Sequence, residues 1–162
     1  DTVRQLLMLS RPWVPEKQPC DFRRMIEGLC ATAAGQEPFR GIHFVFKGND
    51  FAIAPVDPSL LEQVLWNLFH NAAEAMPNGG EICCTLGQDS DFVTLTAADT
   101  GSGIELDHRD RLFRPFFTTK NRGTGLGLPI CKKIVEAHQG FITISSEAGQ
   151  GTTVTLRFPT GS

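Results

Sequence analysis

The stretch RGTGLGLPICKKIVEAHQG, residues 122–140, places three glycines within five residues directly before a helical pattern. Glycine costs about 1 kcal/mol relative to alanine inside a helix, so a glycine-rich helix start needs another reason. Two interpretations compete: a flexible hinge, or a backbone cradle whose free N–H groups bind phosphate at the positive end of the helix. The stretch is neither a Walker A loop nor a dinucleotide fingerprint, because no Gly-Lys-Ser/Thr follows and no strand leads directly into it.

The composition is that of an ordinary globular domain. The chain has 162 residues, of which 41% are hydrophobic and 20% charged, enough for one domain with a sizeable core. The net charge of −3 argues against general binding to nucleic acid or anionic membranes. No apolar run reaches the roughly 20 residues that span a bilayer. The five cysteines lack CxxC spacing, so we expect reduced core thiols and a cytoplasmic setting.

Periodicity and turn signals predict the element order α-β-β-α-β-β-lid-α-β-β. This order favours an α+β fold: a two-layer sandwich in which about three helices cover one face of a mixed, mostly antiparallel sheet. Gly48-Asn49-Asp50 is typical of a hairpin between the runs at 41–48 and 51–57. We expect residues 1–12 to end a helix of a neighbouring element, residues 13–20 to be a Pro-rich linker, residues 21–159 to form the domain and residues 160–162 a tail.

Two groups of polar residues are candidates for chemistry. Asn67 and Asn71 lie four residues apart on one face of a predicted helix, where they form either a solvated stripe or an amide site for Mg²⁺. Asp99 ends a strand whose alternation turns it towards the helices. A buried charge costs several kcal/mol unless it is well paired, so Asp99 either caps its own turn or binds a donor such as an adenine amino group.

The segment RLFRPFFTTK at 111–120 places three phenylalanines in an otherwise polar, irregular stretch. They either anchor this loop to the domain or offer a surface to a partner. We expect them to anchor the loop.

Together these segments resemble the catalytic, ATP-binding domain of sensor histidine kinases, which has the Bergerat or GHKL fold. NLFHNAAEAM is similar to the N box of that family, DTGSGI to its first glycine box, LFRPFFTTK to its F box, GTGLGL to its second glycine box and GQGTTVTLRFP to its terminal one. The five motifs occur in the family's order over about residues 21–159. The forms NAAEAMPNGG and PFFTTK, with LLMLSRP upstream, resemble the nitrogen-regulation branch.

The resemblance implies ATP and Mg²⁺ as ligands. It makes Asn71 the Mg²⁺ ligand, with Asn67 and Lys120 as further catalytic residues at the phosphates, and it turns residues 100–125 into an ATP lid. Asp99 would hold the adenine amino group. The other implied nucleotide contacts are Gly101, Gly103, Arg122, Gly123, Thr124, Gly125, Leu126, Gly127, Leu128 and Thr152.

Three positions depart from the family pattern. Arg114 replaces a common Glu of the F box, Glu74 stands where many relatives have a basic residue, and Ala75 replaces an aromatic residue that stacks in some relatives.

ATPases of the same fold carry a Glu general base four residues before the Mg²⁺-binding Asn. Here that position is Asn67, and a neutral amide cannot accept a proton at pH 7. The pattern therefore favours phosphoryl transfer over hydrolysis. The alternatives are a GHKL ATPase, a serine protein kinase of the anti-sigma-factor type, or a nucleotide-binding module without catalysis.

None of the four histidines has the sequence context of the family's phosphoacceptor. The resemblance thus implies an acceptor on the protein's own dimerisation domain, in a homodimer, with residues 1–12 ending its helix hairpin. It also implies a downstream response regulator as partner, and no contact of this domain with nucleic acid or membrane.

Overall fold

The structure is a computed structural model that describes residues 2–10, 13–117 and 127–161. Its helices are α1 (Thr2–Ser10), α2 (Phe22–Ala33), α3 (Pro58–Glu74) and α4 (Gly127–Ala137). Its strands are β1 (Gln18–Asp21), β2 (Ile42–Gly48), β3 (Ile53–Val56), β4 (Gly80–Gln88), β5 (Phe92–Asp99), β6 (Phe141–Ser146) and β7 (Thr152–Pro159). A 3-10 helix, Leu106–Arg111, follows β5.

Five of the strands form one sheet in the order β2-β4-β5-β7-β6. Only β2 and β4 pair in parallel, and the other three pairings are antiparallel. Buried and half-buried residues alternate along β4, β5 and β7, as expected for a sheet that is covered on one face. The inward residues of these strands include Ile82, Cys84, Leu86, Val93, Leu95, Val154, Leu156 and Phe158. The predicted α+β sandwich with a mixed, mostly antiparallel sheet is confirmed.

Helix α3 begins at a strong local signal and carries much of the core. The Asp57 side chain accepts hydrogen bonds from the backbone N–H groups of Ser59 and Leu60, and Pro58 occupies the first helical position. The buried residues of α3 recur at helical spacing: Leu61, Val64, Leu65, Leu68, Phe69, Ala72 and Ala73. One side of the helix is therefore fixed against the core.

The predicted hairpin between β2 and β3 is wrong. Strand β2 pairs with β4, whereas β3 pairs antiparallel with β1 in a separate two-stranded sheet. The reason lies at Gly48, where φ is +88° and a Cβ atom would lie 2.0 Å from the Leu86 carbonyl oxygen. The next N–H, of Asn49, donates to that same oxygen at 2.8 Å, so the Gly-Asn pair follows β4 instead of turning back. Residues 18–20, expected in the linker, form most of β1.

All five cysteines are free thiols, and all but Cys83 are buried, which confirms the expectation of reduced core thiols. Burial raises the pKa of Cys30, Cys84 and Cys131 to about 12, so these thiols are unreactive at neutral pH. Within the described residues, no helix has the length and apolar character needed to cross a bilayer.

We expect Gly48→Ala to lower the free energy of unfolding by about 1–3 kcal/mol, because the new methyl group meets the β4 backbone at a positive φ. Gly28→Ala is the matched control. Nothing lies within 4 Å of a Cβ at Gly28, in the interior of α2, so that change should raise stability by roughly 0.5–1 kcal/mol. Urea unfolding of both variants measures the pair, and equal effects would contradict the close approach of β2 to β4.

Candidate functional site

The Asp99 carboxylate ends β5 and is held by two loops. Its Oδ1 accepts the Gly101 N–H at 2.9 Å and the Thr152 N–H at 3.2 Å. Within the part of the chain that the structure describes, Oδ2 accepts no hydrogen bond. Burial raises the pKa of Asp99, and the two N–H bonds oppose that rise. The sequence-based alternatives, a turn cap and a ligand-binding carboxylate, are therefore compatible: Oδ1 forms the cap while Oδ2 stays available.

A small cavity adjoins Asp99 between the sheet and α3. Its volume of about 10 Å³ is close to that of a single water molecule, so a purine ring would need the walls to move apart. Apolar walls with one carboxylate suit a flat ring with a polar edge. The lining residues are Leu68, Phe69, Ala72, Ile82, Ala97, Ala98, Asp99 and Val154.

Two glycines of the DTGSGI segment allow close packing around this carboxylate. A Cβ at Gly101 would lie 2.7 Å from the Ala75 Cβ and 3.0 Å from Asp99 Oδ1. Gly103 has φ +73°, and a Cβ there would lie 1.9 Å from the Glu147 carbonyl oxygen. These glycines therefore seat the loop after β5 against α3 and against the turn between β6 and β7.

Ser146 is a site residue that the sequence analysis missed. It is buried, its Oγ donates to the Gly151 carbonyl oxygen at 3.0 Å, and it accepts the Ile104 N–H at 2.8 Å and the Thr152 hydroxyl at 2.9 Å. One hydroxyl thus joins the loop after β5 to the turn that holds Asp99. The signal was present, because Ser146 continues the half-buried alternation of Ile142 and Ile144.

Asn67 and Asn71 are both half-buried on α3. The Asn67 side chain hydrogen-bonds the fully buried Cys131 thiol of α4, whose Sγ donates to the Val64 carbonyl oxygen at 3.8 Å. Asn67 therefore lies at the interface of the two helices.

Helices α3 and α4 run antiparallel. At one end the Asp57 N–H donates to His138 Nε2 at 3.0 Å, and further along Cys131 contacts Val64 and Asn67. Four more residues advance each helix by about 6 Å, so we expect the start of α4, Gly127 and Leu128, to lie near the level of Asn71. The other predicted phosphate contacts, Lys120, Arg122, Gly123, Thr124, Gly125 and Leu126, lie outside the described residues.

The phenylalanines of the F-box-like segment differ in their surroundings. Lys132 Nζ of α4 lies 5.2 Å from the centre of the Phe113 ring, and the Phe117 ring packs 5.5 Å from that of His108. Phe116 is 59% exposed and has φ +68°. The anchoring prediction therefore fits Phe113, which contacts α4, and is wrong for Phe116. The contact of Phe117 with His108 lies within the loop itself, so its anchoring stays a prediction.

A family profile described as "Histidine kinase-, DNA gyrase B-, and HSP90-like ATPase" matches residues 56–162. The matched range contains Asn71, Asp99 and the glycine-rich start of α4. The chain belongs to this family.

Curated relatives from this family are kinases. The chain is 37% identical to the sensor histidine kinase ZraS of Escherichia coli over 97% of its length and 34% of ZraS. It is 35% identical to the signal transduction histidine-protein kinase AtoS of E. coli over 97% of its length and 26% of AtoS. Over 64% of its length it is 46% identical to 14% of sporulation kinase E of Bacillus subtilis. The chain thus spans about a third or less of these relatives.

Solved structures from the family share the fold. The catalytic domain of histidine kinase ThkA superposes with a TM-score of 0.80 at 30% identity, covering 90% of this chain and 96% of that domain. ThkA in complex with the response regulator TrrA gives a TM-score of 0.83 at 28% identity, covering 98% of this chain and 46% of that one. The ATP-binding fold of histidine kinases is therefore the fold of this chain.

We expect Asp99→Asn to raise the melting temperature at pH 7, because the amide oxygen keeps both N–H bonds while the desolvated charge is removed. Because the folded pKa is raised, the charged carboxylate lowers the free energy of unfolding at pH values above that pKa. The difference in melting temperature between the variant and wild type should therefore vanish as the pH falls below 3.8, where Asp99 is protonated in both the folded and the unfolded protein. Asp89 is the matched control, since it also accepts two backbone N–H groups but is exposed and has a lowered pKa. Asp89→Asn should lower the melting temperature, and the same sign for both variants would contradict the assigned burial of Asp99.

Proposed function

We propose that this chain is the catalytic domain of a sensor histidine kinase, which binds ATP with Mg²⁺ and transfers the γ-phosphate to a histidine on a separate dimerisation domain. The observation that carries the proposal is the position of the Asp99 cavity against α3, beside Asn71. The Asp99 cavity is lined by Leu68 and Ala72, Asn71 lies between these residues in sequence, and we expect the antiparallel packing to bring the start of α4 to the same level.

In the adenine half, Asp99 accepts the exocyclic amino group through Oδ2. The bonds from Gly101 and Thr152 fix the direction of the carboxylate, so it is oriented before the base arrives. Gly101 and Gly103 have no side chains, so the backbone itself forms this wall of the pocket and the base can approach it closely. Thr152 supports a water beside the base.

In the phosphate half, the Asn71 amide oxygen fits the donor chemistry of Mg²⁺, which takes few protein ligands and keeps water and phosphate oxygens. When bound, the ion neutralises charge on the phosphates during transfer. The first turn of α4 at Gly127 and Leu128 offers N–H groups and the positive end of the helix dipole. Lys120, Arg122 and the backbone of residues 123–126 complete the site as parts of the lid.

Phosphoryl transfer is favoured over hydrolysis at this site. Asn67 stands in the place of the general base of related ATPases, it is neutral, and its side chain is bonded to Cys131. The relatives ZraS, AtoS and sporulation kinase E are all named as kinases.

The partners follow from the same assignment. They are the protein's own dimerisation domain, in a homodimer, and a response regulator, as in the ThkA–TrrA complex. None of the nine residues of α1 is buried, and Val3, Leu6 and Leu7 are exposed, which suits the end of a helix hairpin whose remainder lies elsewhere. Free thiols support a cytoplasmic location. The nitrogen-regulation branch stays a prediction.

The first test mixes the chain with the protein's dimerisation segment and labelled ATP. We expect an acid-labile phosphate on the segment, as for phosphohistidine, and Asn71→Ala should reduce its formation at least about tenfold by removing the Mg²⁺ ligand. Glu62→Gln, at an exposed position on the same helix, is the control and should leave transfer unchanged. Normal transfer by Asn71→Ala would refute the assignment of the metal ligand.

The second test separates adenine from phosphate recognition. Asp99→Asn should weaken ATP and ADP to a similar extent, because both carry the base that Oδ2 is proposed to bind. Isothermal titration calorimetry measures both affinities, with Asp89→Asn as the control. A loss confined to ATP would show that Asp99 does not read the adenine.

A further inference from the structure

His138 lies at the end of α4 and is only 2% exposed. Its Nδ1 lies 2.7 Å from the Ile134 carbonyl oxygen, and its Nε2 lies 3.0 Å from the Asp57 backbone nitrogen. A carbonyl oxygen only accepts and an N–H only donates, so Nδ1 must carry the proton and Nε2 must be the acceptor. The ring is therefore neutral. It packs edge-on against Phe158 at a centroid distance of 5.8 Å.

Asp57 joins this ring to two other segments. Its Oδ1 caps α3, and its Oδ2 accepts the Glu16 N–H at 3.0 Å. Beside it, Lys17 Nζ donates to the Gln139 side-chain oxygen at 2.7 Å. The linker, the start of α3 and the end of α4 thus meet at one junction.

We propose that His138 is a positioning residue for phosphate and Mg²⁺ binding: by joining the end of α4 to the N-cap of α3, it sets how far α4 lies along α3. This inference rests on the proposed function. The two helices are antiparallel, so a shift of α4 at the His138 end moves Gly127 and Leu128 relative to Asn71 by the same distance. A misplacement of about 1 Å in a phosphoryl-transfer site can cost about 100-fold in rate. The adenine half does not depend on α4, because Asp99 is held by β5 and β7.

The junction requires the neutral ring. Protonation would replace the Nε2 acceptor by a second donor facing the Asp57 N–H. Burial lowers the pKa of His138, the Ile134 carbonyl opposes this, the Lys17 charge of the linker lowers it further and the Asp57 carboxylate of α3 raises it. The neighbour from β7, Phe158, is uncharged. Because the folded pKa lies below the ordinary value of 6.5, the contribution of the neutral ring to the free energy of unfolding is complete above pH 6.5 and is lost as the pH falls from there towards the folded pKa. In the folded protein the ring itself becomes protonated only as the pH falls through that lowered pKa.

Two variants separate the hydrogen bond at Nδ1 from the hydrogen bond at Nε2. Gln at 138 can place an amide oxygen near the position of Nε2 and keep the bond from Asp57, whereas Asn can serve only the position of Nδ1. We expect His138→Asn to weaken ATP·Mg²⁺ binding about tenfold and to leave adenosine binding unchanged. His138→Gln should stay within about threefold of wild type for both ligands. Calorimetry of the wild type and both variants between about pH 5 and 8 measures these affinities, because the folded pKa of His138 lies below 6.5.

The pH dependence of the affinity for ATP·Mg²⁺ is a second test of the proposal, and it does not require the Asn variant to fold. ATP titrates identically in every sample, so wild type should lose more affinity than His138→Gln as the pH falls through the folded pKa of His138, which lies below 6.5. NMR of the His138 ring follows its protonation over the same pH range. Coinciding affinity profiles across the pH range in which NMR shows the ring becoming protonated would overturn the inference, and so would equal losses of adenosine and ATP·Mg²⁺ in His138→Asn, since these indicate general unfolding. In both cases the proposed function stands if wild type binds ATP·Mg²⁺ and Asn71→Ala does not. Absence of ATP·Mg²⁺ binding by wild type would refute both.

Discussion

The antiparallel packing of α3 against α4 is the constraint on which the site depends. Helix α3 must bury its apolar side against the sheet, which leaves its amide-bearing side turned towards the start of α4. Contacts at Asp57–His138 and Val64–Cys131 fix both the direction and the register of the pair. The proposed metal ligand on α3 and the proposed phosphate contacts at the start of α4 can act together only if that register is held.

The proposed adenine half of the site depends on a different energetic cost. A desolvated carboxylate at the end of β5 lowers stability, and the fold retains it with two backbone N–H bonds, a tight glycine at 101 and the buried Ser146 hydroxyl that ties both loops together. Local destabilisation of this kind is common where a protein keeps a polar group ready for a ligand. The nearby cavity is small. The Asp99 carboxylate is therefore already oriented, whereas the cavity beside it must widen before it can hold a purine ring.

The sequence predicted the features that depend on local signals. The Asp57-Pro58 helix start, the alternation that ends in Asp99 and the hairpin of β6 and β7 were all readable from neighbouring residues. The partner of β2 was predicted wrongly because a Gly-Asn turn signal is local. It does not reveal that β2 forms its hydrogen bonds with β4, more than 30 residues away, and not with β3. Ser146 was missed although the strand alternation pointed to it and two of its partners lie five and six residues away. His138 escaped because its partner Asp57 lies 81 residues away. The role of Lys120 and its neighbours stays a prediction.

The α3–α4 interface also gives a physical reason for the amide at position 67. The buried Cys131 thiol directs its proton to the Val64 carbonyl oxygen, so its sulfur remains as a weak acceptor. An Asn side chain supplies an N–H to it, whereas an ionised Glu offers only acceptors and would be desolvated beside a thiol whose pKa is about 12. An ionised carboxylate at position 67 would therefore be less favourable at this interface than the amide. In the proposed function, the packing of α3 against α4 thus also acts against hydrolysis of the nucleotide.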